Sequence, residues 1–185
     1  MLTIVVGTQF GDEGKGRIVH NLSTDPCVVA GARAQGGDNA GHTVVRGGVE
    51  HKLHLVPAAV LEGRIGLIGR GTVLHLTALM DEIENLEANG FQPEVIIDPR
   101  AHLILPWHTA LDGIHENLQG AHAAGSTKKG IAPTYGAKHE RWGIRVADFV
   151  SGVRVAEVRD HYLARLEALG ENRRSLYLSF VSTLE

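Results

Sequence analysis

The sequence is poor in cysteine and aromatic residues and has little excess charge. Cys27 is the one cysteine among 185 residues, which excludes an internal disulfide framework and fits a reducing cytosol best. The net charge of -3 does not suggest electrostatic binding to nucleic acid or to a membrane. No apolar run approaches the length of a membrane span, and the apolar start at 2–6 lacks the basic segment of a signal peptide. These absences predict a cytoplasmic globular protein without nucleic-acid or membrane partners.

Glycine, in contrast, is frequent, and its 23 residues cluster in particular stretches. The clusters lie at 7–16, 31–47, 63–71 and 120–143. Such clusters are typical of loops that approach a ligand closely, or of tight turns between short strands.

Apolar periodicity predicts strands and helices that alternate along the chain. We expect strands at 2–6, 27–32, 51–56, 64–68, 95–97 and 102–105. We expect helices at 15–22, 77–89, 106–118 and 153–169, with a long loop at 120–138. This order predicts an α/β fold with a largely parallel sheet covered by helices on both faces, and residues 1–185 as a single portion without a dividing linker.

The first glycine cluster follows a predicted strand and opens a predicted helix, where backbone N–H groups and the helix dipole bind phosphate. In the P-loop pattern GxxxxGK[ST], Gly14 and Lys15 fit. Gln9 stands in place of the first glycine, and Gly16 replaces the residue whose hydroxyl normally holds magnesium. Asp12 is the nearest alternative metal ligand. Spacing alone predicts a weak relative of the P-loop, and the alternative is a glycine-rich turn without function.

Three segments resemble motifs of the adenylosuccinate synthetase family. They are 7–16 (GTQFGDEGKG), 35–43 (QGGDNAGHT) and 125–135 (GSTKKGIAPTY), and RWGIR follows at 141–145. The resemblance implies a P-loop-related α/β fold, a homodimer, and a place in purine nucleotide biosynthesis. It also implies that GTP phosphorylates the 6-oxygen of IMP and that the amine of L-aspartate then displaces this phosphate. The products would be adenylosuccinate, GDP and phosphate.

The resemblance assigns roles to individual residues. A 6-oxo purine is a poor nucleophile until N1 loses its proton, and Asp12 is implied as this general base and as a Mg²⁺ ligand. His42 is implied as the acid that stabilises charge on the 6-oxygen and on the transferring phosphoryl group. Lys15 would face phosphate as a point charge, and the Gly41 carbonyl would be the second metal ligand. Arg141 would reach the IMP phosphate of the neighbouring subunit.

The implied binding sets overlap. The GTP-binding set consists of Gly11, Asp12, Glu13, Gly14, Lys15, Gly16, Arg17, Gly41, His42 and Thr43. The IMP-binding set consists of Asp12, Glu13, Gly14, Lys15, Asn39, Ala40, Gly41, His42, Thr127 and Arg141. Thr127 would offer its hydroxyl and loop amides to the 5′-phosphate.

The sequence departs from the family pattern at several positions. Asp38 stands where the family often has a neutral residue or histidine, and its charge is costly near a triphosphate unless it faces away or pairs with a cation such as Arg33. Lys128–Lys129 replaces a Gly-Arg pair, Ser126 replaces a frequent threonine, and Ala132 replaces a glycine. We therefore expect this loop to be stiffer or differently closed.

The guanine-recognition Thr-Lys-x-Asp segment of the family and its arginine-bearing aspartate loop do not occur in this sequence. We therefore expect the N-terminal portion of a longer synthetase, inactive by itself. One alternative is a nucleotide-binding or interaction module without ligase activity, which would not need both Asp12 and His42. The other is a relative that acts on a 2-amino purine deoxynucleotide, which a changed residue at position 12 would favour.

Overall fold

The computed structural model describes residues 1–9, 11, 13–119, 125–170, 172 and 175. The chain forms two compact units, the first from Met1–Thr72 and Ala78–Asp98, the second from Val73–Thr77 and Pro99–Glu185. The strands are β1 (Ala30–Gly36), β2 (His42–Arg46), β3 (Val49–Leu53), β4 (Ile65–Leu74), β5 (Val95–Ile97) and β6 (His102–Leu103). The helices are α1 (Lys15–Ser23), α2 (Leu76–Ala88), α3 (Pro106–Gln119), α4 (Ile131–Glu140), α5 (Val146–Ser151) and α6 (Val155–Ala168), with a 3₁₀ turn at Ala58–Glu62.

A parallel sheet forms the centre of the first unit. Strand β4 lies between β1 and β5 and pairs with both in parallel register. The register of β1 shifts between Arg33 and Gln35, and a Cβ on Gly71 of β4 would collide there with the Ala34 carbonyl oxygen. A parallel sheet accompanied by helices confirms the predicted α/β class.

Beside this sheet, β2 and β3 form an antiparallel hairpin. Its register runs from His42 opposite Leu53 to Arg46 opposite Val49. The turn is Gly47–Gly48, with φ of 60° and 82°, and both angles suit glycine in a two-residue hairpin turn. The hairpin therefore places His42 at its open end, opposite the chain that leads away from β3.

The segment after β3 is anchored by one carboxylate from α2. Glu82 accepts hydrogen bonds from the N–H groups of His54, Leu55 and Val56, at 2.9, 2.9 and 3.1 Å. Leu55 and Val56 are completely buried. By accepting these bonds, Glu82 satisfies backbone N–H groups that would otherwise be costly to bury.

The second unit is built around α3 and α6. The rings of Trp107 and Tyr162 stack at 5.7 Å between centroids and 9° between planes, and both residues are 1% exposed. Strand β6 pairs in parallel with the last residues of β4, Val73 and Leu74. His108, beside Trp107 and Tyr162, is 0% exposed.

Two local predictions were wrong. The run 2–6 forms no strand, and Leu2, Ile4 and Val6 are 84%, 73% and 76% exposed. An apolar run becomes a strand only where a neighbour hydrogen-bonds its N–H and C=O groups, and sequence cannot show that neighbour. The predicted loop 120–138 contains most of α4, whose Pro133 lies in the first turn, where its missing N–H costs nothing.

Within the described ranges, none of the helices has both the length and the apolar character needed to cross a bilayer. That residues 1–185 form one nucleotide-binding portion of a longer synthetase stays a prediction.

Candidate functional site

The first glycine cluster turns directly into α1. Gly14 caps the helix with φ 77° and ψ 24°, a left-handed conformation open to glycine. Its carbonyl accepts the Ile18 N–H at 3.2 Å, so the helix begins at Lys15. Such a helix start presents unpaired N–H groups to an anion. Asp12 lies outside the described residues, and its predicted role stays a prediction.

Glu13 and Lys15 pair with each other within this loop. Lys15 Nζ donates to Glu13 Oε2, and Glu13 Oε1 accepts the Gln9 N–H at 2.9 Å. The bonds from Lys15 and then from Gln9 lower the pKa of Glu13 to about 2. A Cβ on Gly7 would lie 2.5 Å from both Glu13 Oε1 and Lys15 Nζ, so a side chain at that position would displace the ends of both side chains. The Lys15 side chain is still 44% exposed, which leaves its charge accessible to phosphate.

His42 lies against the first turn of α1. A Cβ on Gly16 would be 2.6 Å from each of the Cβ, Cγ and Cδ2 atoms of His42. Contacts that short do not occur between real side chains, so any residue larger than glycine would displace the imidazole. This explains why Gly16 stands where a P-loop has serine or threonine: His42 takes up the space of that side chain.

The His42 imidazole is neutral at pH 7 and stays neutral well below that pH. Burial, the Arg33 charge and His54 together lower the pKa of His42 to about 4. Its Nε2 atom is buried and has no hydrogen-bond partner among the described residues. A neutral imidazole can donate one N–H, and an approaching anion raises its pKa. The site therefore holds a histidine that can respond to developing negative charge.

The second motif loop is held by Arg33. Its guanidinium donates to the carbonyls of His54, Gly37 (2.5 Å) and Gln35 (3.3 Å). Asp38 in the same loop is only 5% exposed, so it does not face solvent, and its pairing with Arg33 stays a prediction. These bonds fix the loop that leads to Gly41 and His42.

Gly41 is exposed, and a Cβ there would lie 2.9 Å from His54 Nε2. His54 lies outside all the motifs that resemble the family. The signal that could have identified it is the Gly47–Gly48 turn, since a hairpin around that turn brings the residue after Leu53 next to the residue before His42.

The residues suggested for magnesium offer oxygen donors, the Gly41 carbonyl and the Asp12 carboxylate. Mg²⁺ prefers oxygen ligands and usually completes its shell with water and substrate phosphates. In the part of the chain that the structure describes, no three His, Cys, Asp or Glu side chains converge on one point. The donor chemistry fits Mg²⁺ bound jointly by protein and nucleotide.

The remaining predicted IMP residues lie in the second unit. Thr127 is exposed in the loop before α4, and its neighbour Lys128 has φ 55°, a strained angle for a residue other than glycine. Arg141 ends α4 with φ 66°, and its side chain makes no hydrogen bond or ion pair within the described ranges. The structure thus brings 13–16 together with His42 in the first unit, and places Thr127 and Arg141 in the second.

Comparison with known proteins agrees with the motifs. The adenylosuccinate synthetase family model matches residues 4–182. The adenylosuccinate synthetase of Haloarcula marismortui is 45% identical over 174 residues, which are 93% of this chain and 38% of that protein. The enzyme of Natronomonas pharaonis is 43% identical over 178 residues, which are 95% of this chain and 37% of that protein.

Solved structures show the same fold. The fully ligated adenylosuccinate synthetase of Plasmodium falciparum matches with a TM-score of 0.79 and 30% identity, over 96% of this chain and 43% of that chain. Cyanophage S-2L succinoaminodeoxyadenylate synthetase, bound to dGMP and dATP, matches with a TM-score of 0.64 and 23% identity, over 81% of this chain and 42% of that chain. The chain spans about two fifths of the length of these relatives. With nearly its whole length matched, the chain belongs to the adenylosuccinate synthetase family.

Proposed function

We propose that this chain supplies the phosphate loop and reaction centre of a GTP-dependent ligase that joins IMP to L-aspartate. The products are adenylosuccinate, GDP and phosphate. The observation that carries the proposal is the contact between His42 and Gly16, which puts a half-buried imidazole on the first turn of a phosphate-binding helix. Family membership supports it.

The first step makes the 6-oxygen of IMP a nucleophile. Asp12 accepts the proton from N1, and electron density moves onto the 6-oxygen. This oxygen attacks the γ-phosphorus of GTP, and the bond from that phosphorus to the β,γ-bridging oxygen breaks. GDP leaves, and the 6-oxygen carries the phosphoryl group.

His42 stabilises the negative charge that develops in this step. It enters with its imidazole neutral, because burial holds its pKa near 4. A neutral imidazole N–H can still donate to an oxyanion, and the growing charge favours protonation of the ring. Lys15 exchanges its bond with Glu13 for one with phosphate, since its side chain is accessible.

The second step forms the C–N bond. The amine of aspartate attacks C6, the bond from C6 to the 6-oxygen breaks, and phosphate leaves with that oxygen. The attacking nitrogen loses a proton, and the ring recovers its aromatic form.

Binding is shared among the loops. Asp12 and the Gly41 carbonyl would hold Mg²⁺, which neutralises phosphate charge when bound. The 5′-phosphate of IMP is bound through Thr127 and through Arg141 of the neighbouring subunit in a homodimer, and Asn39 is a further IMP contact. The remaining contacts of the two nucleotides come from Gly11, Glu13, Gly14, Gly16, Arg17, Ala40 and Thr43. The enzyme would act in the cytoplasm.

The test is turnover by the complete product of the gene. We expect adenylosuccinate only when GTP, IMP and aspartate are all present, with one GDP per product. Replacing IMP by dGMP should abolish the reaction, since Asp12 disfavours a 2-amino purine substrate. No product from the three substrates, or product from dGMP instead, would refute the proposal.

A pair of lysine variants tests the phosphate loop separately. Lys15→Ala should weaken GTP binding, because a charge-assisted contact to phosphate is lost. Lys52→Ala is the matched control, because Lys52 is exposed on β3 and forms no hydrogen bond or ion pair within the described part of the chain. Equal GTP affinity in the two variants would contradict the role of Lys15.

A further inference from the structure

Two carboxylates on α3 hold the loop that precedes α4. Asp112 Oδ1 accepts the Ser126 hydroxyl at 2.8 Å, and Asp112 Oδ2 accepts the Gly130 N–H at 2.8 Å. Glu116 Oε1 accepts the N–H groups of Gly125 and Ser126, at 2.8 and 3.1 Å. The two acids are four residues apart, so they lie on one face of the helix.

The loop is fixed most firmly at its end. Asp112 is 5% exposed, and a buried carboxylate is tolerable only when its oxygens are bonded, as both are here. Gly130 has φ 76°, and a Cβ there would lie 2.8 Å from the Thr109 nitrogen and 2.9 Å from the His108 carbonyl carbon. Backbone lies against backbone at this point, so the loop end cannot shift without moving α3.

These contacts leave the N–H and hydroxyl of Thr127 available to a ligand. The N–H groups of the two residues before it bond to Glu116, and the Lys128 N–H bonds to Ser126 Oγ at 3.1 Å. Thr127 is exposed and forms no hydrogen bond within the described residues. Its N–H and hydroxyl are two adjacent donors in a loop whose neighbouring donors are occupied.

We propose that Asp112, assisted by Glu116, is a positioning residue that holds the 125–130 loop in the shape that presents Thr127 to the 5′-phosphate of IMP. This inference rests on the proposed function. Neither acid touches the ligand. They act by ordering the loop before binding, which removes an entropic cost that the ligand would otherwise bear.

The test compares steady-state kinetics of the complete gene product with those of Asp112→Ala. We expect the KM for IMP to rise roughly 10-fold, the change that follows from losing about 1.4 kcal/mol of net hydrogen bonding and order. The KM for GTP and kcat at saturating IMP should stay close to wild type, because the first loop and the reaction chemistry are untouched. Asp112→Asn should recover most of the IMP affinity, because an amide can accept from Gly130 and donate to Ser126.

Two further variants complete the design. Ser126→Ala removes the hydroxyl that donates to Asp112 and accepts the Lys128 N–H, but leaves the bond from Gly130 to Asp112 intact. It should raise the KM for IMP by a smaller factor, and this rise tests the inference if Asp112→Ala does not fold. Asn117→Ala is the control, because Asn117 is exposed on the same helix and makes no hydrogen bond in the described ranges.

Several results would overturn the inference. Folded variants with unchanged KM for IMP would do so, as would equal rises in KM for IMP and GTP, or a fall in kcat alone. A wild-type protein that makes no adenylosuccinate would refute the proposed function, and the positioning role with it. Activity in the wild type combined with an unaffected Asp112→Ala would refute the positioning role alone.

Discussion

The glycine-rich turns before α1 and before α4 lead into their helices with the same backbone conformation. In each, a glycine in the left-handed region caps a helix without a side-chain cap: Gly14 with φ 77° before α1, and Gly130 with φ 76° before α4. Both turns therefore leave helix N–H groups that can face an anion.

They differ in what holds them. The first turn is held by its own residues, Glu13 and Lys15, through contacts that span two to four positions. The second is held by Asp112 and Glu116, which lie 9 to 18 positions away on another helix. Glu13 and Lys15, which hold the first turn, belong to the predicted nucleotide-binding residues. Asp112 and Glu116, which hold the second turn, only support the loop. Substitutions in the first turn should therefore affect turnover and GTP binding, and those in the second should affect IMP affinity and stability.

The largest expected effect is at Asp12. Asp12→Asn should keep nucleotide binding but lower kcat by about 10²–10⁴-fold, the usual range for one general base. The measurement is kcat together with calorimetric binding of GTP and IMP. Near-normal turnover would remove the reason for treating the first turn as catalytic.

Next in size is Gly16→Ala. Its Cβ would displace His42, so kcat should fall about as far as in His42→Ala, roughly 10²–10³-fold for one lost oxyanion donor. Gly136→Ala in α4 is the matched control, because a Cβ there meets nothing within 4 Å and alanine favours helix. A fully active Gly16→Ala protein would contradict the contact between His42 and the helix.

In the second turn, Gly130→Ala should act on stability. Left-handed strain and the collision with α3 backbone should lower the free energy of unfolding by about 2 kcal/mol or more. Gly125→Ala has similar φ, 74°, but open space around its Cβ, so it should lose only about 1 kcal/mol. Chemical denaturation of both variants measures the difference, and equal losses would show that the packing on α3 contributes nothing.

The smallest expected effect is a gain. Lys128 has φ 55°, so Lys128→Gly should relieve strain and stabilise the protein by about 0.5 kcal/mol, after the entropy cost of glycine. Lys129, whose φ is not positive, is the control, and Lys129→Gly should destabilise by about 0.5 kcal/mol or more. A destabilised Lys128→Gly variant would mean that the left-handed backbone at Lys128 is not strained in the folded protein.

Local patterns in the sequence predicted much of the fold. Gly14 followed by Lys15 predicted the start of α1, and the apolar period of 77–89 predicted α2 within one residue at each end. The strand expected at 27–32 begins and ends later, at Ala30–Gly36, because pairing with β4 and not apolarity decides which residues join the sheet.

Only part of the candidate site could be predicted from the sequence. Lys15 and His42 each lie within a contiguous motif, so both could be named from the sequence. Gly16 and His42 are far apart in sequence, and so are Asp112 and the residues of the 125–130 loop that donate hydrogen bonds to it. No local pattern encodes such contacts, so the reason for Gly16 and the support of the second turn appear only in the structure.

The most direct measurement of the proposed chemistry follows one oxygen atom. IMP labelled with ¹⁸O at the 6-position, incubated with GTP, aspartate and the complete gene product, should release phosphate in which one oxygen is ¹⁸O. This result is predicted because the 6-oxygen attacks GTP and then leaves C6 within the phosphate. Unlabelled phosphate accompanying adenylosuccinate would contradict phosphorylation of the 6-oxygen, and with it the role given to the phosphate loop and His42.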